Sequence, residues 1–89
     1  MIPLTPELRE QVRLNVLRYC LRRTRSGMIA AQLRSEGFKL DAETIALEVQ
    51  YLTDKNLLTV ENKIVSPENQ FFRTTADGRD YLASQGEEQ

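Results

Sequence analysis

The residues best suited to chemistry in this chain form a basic cluster. Arg22, Arg23 and Arg25 are followed directly by Ser26, a favourable residue at the start of a helix. Guanidinium groups neutralise phosphates, and the free N–H groups at a helix N-terminus also bind anions. The cluster therefore favours a phosphate-binding surface. The alternative is that these arginines are solvated and pair with carboxylates such as Glu36, which contributes little stability.

Most catalytic and metal sites require side chains that this chain lacks. It has no histidine and a single cysteine, Cys20. Structural zinc sites need several Cys or His ligands, and a histidine-based triad or general base needs histidine. No Gly-rich phosphate loop is present either. We therefore expect no catalytic residues, no metal and no cofactor, and we do not expect an enzyme. The lone cysteine excludes an internal disulfide and fits a reducing cytoplasm.

Length and composition indicate one folded domain. The 89 residues leave no room for a second domain, and 40% hydrophobic with 28% charged residues supports a packed core. We expect a single domain over residues 1–89, with residues 84–89 as a frayed acidic tail. No apolar run approaches the roughly 18 residues of a membrane span, and the N-terminus does not resemble a secretory signal. A cytoplasmic protein without membrane contact is expected.

The charge is unevenly distributed along the chain. Residues 1–39 hold eight Lys/Arg and three Asp/Glu, whereas residues 40–89 hold four and ten, so a net charge of −1 conceals halves of +5 and −6. This polarity indicates either a basic binding surface or packing between copies of the chain. The alternative is that it only keeps the surface soluble.

The first helix is predicted from Thr5-Pro6-Glu7 to about Arg23, because Thr5 suits the N-cap and Pro6 the first turn. Its apolar residues form two stripes, which are Leu8, Val12, Val16 and Cys20 with Tyr19 beside them, and Leu14, Leu17 and Leu21. Together they cover more than the ~100° of helix surface that a core contact needs. We therefore predict core packing on one stripe and a homodimer interface on the other, which consists of Leu8, Val12, Val16 and Tyr19. The alternative is that both stripes are buried.

Two further helices are predicted in the middle of the chain. Ser26 is expected to cap a helix over about residues 27–36, and Gly37 supplies the left-handed residue that ends it. Asp41 is expected to cap a third helix over about residues 42–55, which ends at Asn56. The third helix is expected to pack along one narrow face, which consists of Ala42, Ile45, Val49 and Leu52.

The remaining residues predict a hairpin and a last helix. Apolar and polar residues alternate over Leu58–Glu61, which predicts a half-buried strand. Phe72 and Thr74 lie two residues apart, which predicts that they share one face of a return strand. Residues 62–70 are expected to form the connecting loop. The alternative is that Ile64-Val65 extends the first strand, so the register of the hairpin stays open. Thr75 is the expected N-cap of the last helix. The fold class expected is mainly α with a small β-hairpin: a three-helix core, a two-stranded wing and a C-terminal helix.

Residues 45–79 resemble the winged helix-turn-helix superfamily of bacterial regulators. The positions that carry the resemblance are Ile45, Val49, Tyr51, Leu52, Lys55, Asn56, Leu57 and Leu58, then Thr74, Thr75 and Gly78. The whole chain also resembles small winged-helix proteins of Mu-like phages and prophages, which are labelled regulators of the ArsR type. The shared features are total length, the stretch from Arg13 to Arg18, and a third helix that runs into residues 57–61. ArsR-type metal sensing needs clustered Cys or His, which this chain lacks.

The resemblance implies a transcription regulator that binds double-stranded DNA, with the third helix in the major groove. The DNA-binding candidates are Arg22, Arg23, Arg25, Ser26, Lys39, Thr44, Gln50, Tyr51, Lys63 and Arg73. The charges on the third helix oppose this, because its outer face carries carboxylates and no Lys or Arg before Lys55.

The competing interpretation is a winged helix that binds a protein instead of DNA. Leu47 and Tyr51, ringed by carboxylates, would form a hydrophobic contact for a basic partner or for the basic half of another copy. The candidate partner-binding residues are Glu43, Leu47, Glu48, Tyr51 and Asp54. A third interpretation is a dimer that binds DNA weakly through paired basic patches.

Overall fold

The computed structural model of the chain describes residues 5–61 and 70–85. Its elements follow in the order α1 (Pro6–Tyr19), β1 (Thr24–Arg25), α2 (Ser26–Ser35), α3 (Ala42–Asp54), β2 (Leu58–Glu61), β3 (Phe71–Thr74) and α4 (Ala76–Ser84). The strands form one antiparallel sheet in the order β1-β3-β2. The expected class, mainly α with a small β-hairpin, is confirmed. The first helix ends at Tyr19 and not near Arg23 as the sequence predicts, and β1 is not predicted because two residues are too short to show an alternating pattern.

Three helices begin at the N-caps expected from the sequence. The side-chain oxygens of Thr5, Asp41 and Thr75 each accept a hydrogen bond from the backbone N–H three residues later, at 3.1, 2.8 and 3.0 Å respectively. Hydrogen bonds from Thr44 hold the pKa of the Asp41 carboxyl below its usual range. The charged form of Asp41 is therefore favoured at the positive end of α3.

The ends of α2 and α3 are also as the sequence predicts. Gly37 has a φ of 97° and Asn56 a φ of 66°, both in the left-handed region. After each of them, the next backbone N–H donates to a carbonyl five residues earlier, on Leu33 at 3.0 Å and on Leu52 at 2.9 Å. These bonds satisfy carbonyls that have no partner inside the helix.

α1 lies at the centre of the fold and contacts α2, α3, α4 and β3. The buried apolar side chains are Val12, Val16, Leu17, Cys20, Ile29, Leu33, Leu40, Ile45, Val49, Leu52, Leu58, Phe72 and Leu82. The prediction that Val12 and Val16 belong to a dimer interface is therefore wrong, because both are 0% exposed inside the protomer. Leu8 and Tyr19 are half-buried, and Leu21 is 40% exposed. Residues on both stripes face the chain's own core, since α1 has neighbours on several sides.

β3 is tied to α1 and α4 at a tight corner. Thr74 is 1% exposed, and its hydroxyl donates to the Leu17 carbonyl at 2.7 Å. A Cβ placed on Gly78 would lie 2.5 Å from the Thr74 methyl group and still closer to the Leu57 carbonyl. Glycine is therefore required at position 78, where α4 packs against Thr74 of β3 and against Leu57, the residue before β2. This explains the Thr-Thr-x-x-Gly spacing in physical terms.

Candidate nucleic-acid interface

α2 and α3 form the helix-turn-helix pair, and α3 presents its outer face to solvent. Ile45, Val49 and Leu52 are buried as expected, whereas Ala42, predicted on the same face, is exposed at the start of the helix. On the opposite side the exposed residues are Glu43, Ala46, Leu47, Gln50 and Asp54. Leu47, at 64% exposed, is the most exposed large hydrophobic side chain in the described part of the chain. We call this outer surface, defined by Glu43, Leu47, Gln50 and Asp54, the α3 face.

Glu48 does not belong to the α3 face, contrary to its predicted role in partner binding. It is 7% exposed, and its carboxylate lies 2.6 Å from Nε of Arg13 and 3.5 Å from Nε of Arg9. Both arginines come from α1, so sequence spacing within α3 gave no sign of this pairing. A buried and paired carboxylate is not available to a protein partner and repels a phosphate backbone less than an exposed one.

Tyr51, a candidate in both functional interpretations, is held at the side of α3. The Arg13 guanidinium lies 3.8 Å from the centroid of its ring, and Nζ of Lys55 lies 5.7 Å away. Cation–π contacts of this kind fix the ring against α1. Tyr51 remains 38% exposed, which leaves it at the edge of the α3 face.

Removing Glu48 tests how strongly this pairing holds α3 against α1. We expect Glu48→Ala to lower the free energy of unfolding by about 3 kcal/mol, because Arg13 would be left largely buried without its carboxylate. Glu43→Ala, on the exposed side of α3, is the matched control and should cost less than about 1 kcal/mol. Urea denaturation followed by circular dichroism measures both. Equal losses for the two variants would contradict the pairing.

Gln50 is restrained on the α3 face by its neighbour one turn later. Its Nε2 donates to Oδ1 of Asp54 at 2.9 Å. Because an ionised carboxylate can only accept hydrogen bonds, the NH2 group of the Gln50 amide, and not its oxygen, faces Asp54. Thr44, another DNA-binding candidate, is half-buried at the start of α3. Its backbone N–H donates to the cap residue Asp41.

Three of the predicted basic residues, Arg23, Arg25 and Arg73, lie on one side of the sheet. Arg25 pairs with Phe71 across β1 and β3, and Glu61 pairs with Phe71 across β2 and β3, so these residues share one face. Nε of Arg23 lies 3.3 Å from the Glu61 carboxylate, and Nε of Arg73 lies 3.1 Å from it. The Arg23 guanidinium also stacks 4.1 Å from the Phe71 ring centroid. One carboxylate therefore partly neutralises two of the predicted arginines.

The other basic candidates are less constrained. Arg22 and Arg25 are exposed, and neither makes an ion pair within residues 5–61 and 70–85. Lys39 is exposed in the turn between α2 and α3. Lys63 lies outside the described residues.

A groove of about 480 Å³ separates the start of α2 from α3 and the sheet. Small and apolar residues dominate its walls, including Ala30, Ala46, Val60 and Phe72. Two predicted DNA-binding residues, Ser26 and Gln50, also line it, so the structure brings them to one place. Ser26 does not cap α2 as expected: Arg25 is the N-cap, without a side-chain hydrogen bond, and the Ser26 backbone N–H donates to the Gln70 carbonyl at 3.0 Å.

The remaining reactive groups of the described chain lie away from this surface. Burial raises the pKa of the Cys20 thiol to about 12, which makes the thiolate rare at neutral pH. Burial and a hydrogen bond to Glu10 raise the pKa of Tyr81 to about 12. Over the described ranges no group of three or more His, Cys, Asp or Glu is placed to hold a metal ion. Among the described helices, none is both long and apolar enough to cross a membrane.

Solved structures share this fold at low sequence identity. A PadR family transcription regulator from Clostridium difficile R20291 is 21% identical, with a TM-score of 0.68 over 84% of this chain and 82% of that chain. A PadR family transcriptional regulator from Eggerthella lenta DSM 2243 is 22% identical, with a TM-score of 0.75 over 90% of this chain and 73% of that chain. No protein-family model matches the chain, and no curated protein is significantly similar to it. The arrangement of three helices, a hairpin and a C-terminal helix is therefore a winged helix-turn-helix.

Proposed function

We propose that the protein is a DNA-binding winged-helix transcription regulator, in which α3 enters the major groove and the start of α2 and the sheet contact phosphates. The observation that carries this proposal is the exposed α3 face on a helix-turn-helix whose structural neighbours are named transcription regulators. Such a protein acts in the cytoplasm. With one cysteine and no histidine, it would not sense a metal through a Cys/His cluster.

The burial of Glu48 weakens the electrostatic objection to DNA binding. Two carboxylates, those of Glu43 and Asp54, remain on the α3 face, and Asp54 is hydrogen-bonded to Gln50. Positive charge comes from outside α3: Arg22 and Arg25 lie just before the first turn of α2 and make no ion pair within the described residues. Phosphate contacts at a helix N-terminus position a protein on DNA without reading its sequence. In this arrangement α3 would contribute base contacts and little attraction to the phosphate backbone.

We expect the double change Arg22→Ala and Arg25→Ala to weaken binding to duplex DNA and to reduce its salt dependence. Each lost phosphate contact lowers the slope of log affinity against log salt concentration by about 0.9, so the double variant should lose about 2. Arg79→Ala, an exposed arginine on α4, is the matched control and should leave the slope unchanged. Fluorescence anisotropy at several salt concentrations measures the slopes. Identical slopes for the wild type, the double variant and Arg79→Ala would show that Arg22 and Arg25 do not contact DNA phosphates.

A homodimer belongs to the same proposal. Two copies related by a two-fold axis would present two α3 helices to a palindromic site. Of the residues predicted for the interface, the half-buried Leu8 and Tyr19 are accessible to a partner, whereas Val12 and Val16 are not. Sedimentation equilibrium tests this directly, and a monomer at high protein concentration would contradict it.

The exposure of Leu47 favours a second candidate function, binding of a basic protein surface. A 64% exposed leucine beside the carboxylates of Glu43 and Asp54 has the apolar centre and charged rim of a docking site. The two functions predict opposite effects for Glu43→Lys. Binding to DNA should become tighter, whereas binding to a basic protein should become weaker.

A further inference from the structure

We propose that the α3 face is specific for A·T base pairs: Gln50, positioned by Asp54, hydrogen-bonds an adenine, and Leu47 contacts the methyl group of a neighbouring thymine. This inference rests on the proposed DNA-binding function and adds the base preference of the same surface. It follows from three observations on α3, which are its side-chain inventory, the Gln50–Asp54 hydrogen bond and the exposure of Leu47.

The residue types on the α3 face exclude the commonest way of reading guanine. No Lys or Arg occurs between Ala42 and Asp54, so this helix has no side chain that donates a bidentate pair of hydrogen bonds to O6 and N7 of guanine. Gln50 is the side chain on this face that matches a purine, and glutamine forms its bidentate pair with N6 and N7 of adenine. The inventory therefore favours adenine over guanine.

The hydrogen bond to Asp54 leaves Gln50 with the groups that adenine requires. Nε2 of Gln50 uses one of its two hydrogens on Oδ1 of Asp54, at 2.9 Å. The second hydrogen is left to donate to N7 of adenine, and Oε1 is left to accept from N6. Because Asp54 holds the amide in one orientation before DNA arrives, less side-chain entropy is lost on binding. Asp54 is thus a positioning residue, which gives an acidic side chain a role on a DNA-facing surface.

Leu47 is placed to contact the base pair next to the one that Gln50 reads. Residues three apart lie on the same face of a helix and are separated by about 4.5 Å along its axis. Successive base pairs of DNA are about 3.4 Å apart, so side chains with this separation can reach neighbouring base pairs. Leu47 is 64% exposed and apolar, and the thymine methyl group is the apolar feature of the major groove.

The test begins with selection of binding sites from a pool of random-sequence DNA duplexes by the wild-type protein. We expect the selected sites to share adjacent A·T pairs. In such a site, replacing thymine with uracil, which lacks the methyl group, should weaken wild-type binding about threefold to tenfold, and replacing adenine with 7-deazaadenine, which lacks N7, should weaken it roughly tenfold. Leu47→Ala should no longer distinguish thymine from uracil but should still distinguish adenine from 7-deazaadenine. Gln50→Ala should still distinguish thymine from uracil but should no longer distinguish adenine from 7-deazaadenine.

Asp54→Ala separates a positioning role from a purely electrostatic one. Removal of a carboxylate near DNA should tighten binding to unrelated sequences by a few fold. If Asp54 positions Gln50, the same change should also reduce the discrimination between adenine and 7-deazaadenine, while that between thymine and uracil persists. Full adenine discrimination in Asp54→Ala would overturn the positioning role. Thermal unfolding of each variant shows whether the fold is retained.

The outcomes also distinguish this inference from the function on which it rests. Binding to the pool without enrichment of any sequence, or enrichment of sites whose shared pairs are G·C, would overturn the base preference and leave DNA binding intact. Absence of binding to the pool at low salt would overturn both.

Discussion

We expect Gly78→Ala to lower the free energy of unfolding by about 3 kcal/mol or more. The added methyl group would overlap the Leu57 carbonyl and the Thr74 methyl group. Neither can move freely, because the Leu57 carbonyl accepts a hydrogen bond from Thr75 at 3.0 Å and the Thr74 hydroxyl is fixed on α1. Overpacking against such a corner forces a shift of α4 or of β3. For a domain of this size, the loss is a large part of the total stability.

Gly27→Ala is the matched control for this substitution. Gly27 lies in the first turn of α2, and a Cβ there would have no neighbour within 4 Å. The variant should be as stable as the wild type or more stable by up to about 1 kcal/mol, since alanine restricts the unfolded chain. Urea denaturation followed by circular dichroism compares the two variants. A loss below about 1 kcal/mol for Gly78→Ala would show that the corner is not closely packed.

The second large effect is expected for Val12→Glu, which should prevent stable folding. Val12 is 0% exposed in the core, and an unpaired carboxylate there would have to be buried or protonated. We expect a loss of about 4 kcal/mol or more. Gln11→Glu makes an acidic change at the adjacent exposed position and should shift stability by less than about 0.5 kcal/mol.

Val12→Glu also separates two accounts of α1. If Val12 lay on a subunit interface, the variant would be a folded monomer with a normal circular dichroism spectrum. The structure instead predicts a chain without a cooperative thermal transition. A folded, monomeric Val12→Glu would therefore contradict the placement of α1 in the core.

The features that depend on short-range chemistry were predictable from the sequence. The caps at Thr5, Asp41 and Thr75 and the left-handed residues Gly37 and Asn56 are set by backbone geometry within one helix turn. The burial of Ile45, Val49 and Leu52 followed from the apolar stripe of α3, although Ala42 on that stripe is exposed. Local physics decides these features, so one sequence is enough to place them.

The features that depend on tertiary packing were not predictable from the sequence. The stripes of α1 look alike in sequence, and only the positions of α2, α3, α4 and β3 show that Val12 and Val16 face the core. From the sequence alone, Glu48 resembles any exposed acidic residue of a helix, because its pairing with Arg13 of α1 depends on how the two helices pack. Likewise, the sequence does not show that Arg23 and Arg73 both pair with Glu61, because those pairs depend on how the strands are arranged. Pairing between distant residues leaves no periodic signal.

The central claim, that the α3 face and the start of α2 bind duplex DNA, is tested most directly by nuclear magnetic resonance. The isotope-labelled protein is titrated with a random-sequence duplex at low salt. We expect shifted amide signals at Leu47, at Gln50 and in the first turn of α2, and unshifted signals at α4. Unchanged spectra, or shifts concentrated on α4, would contradict it.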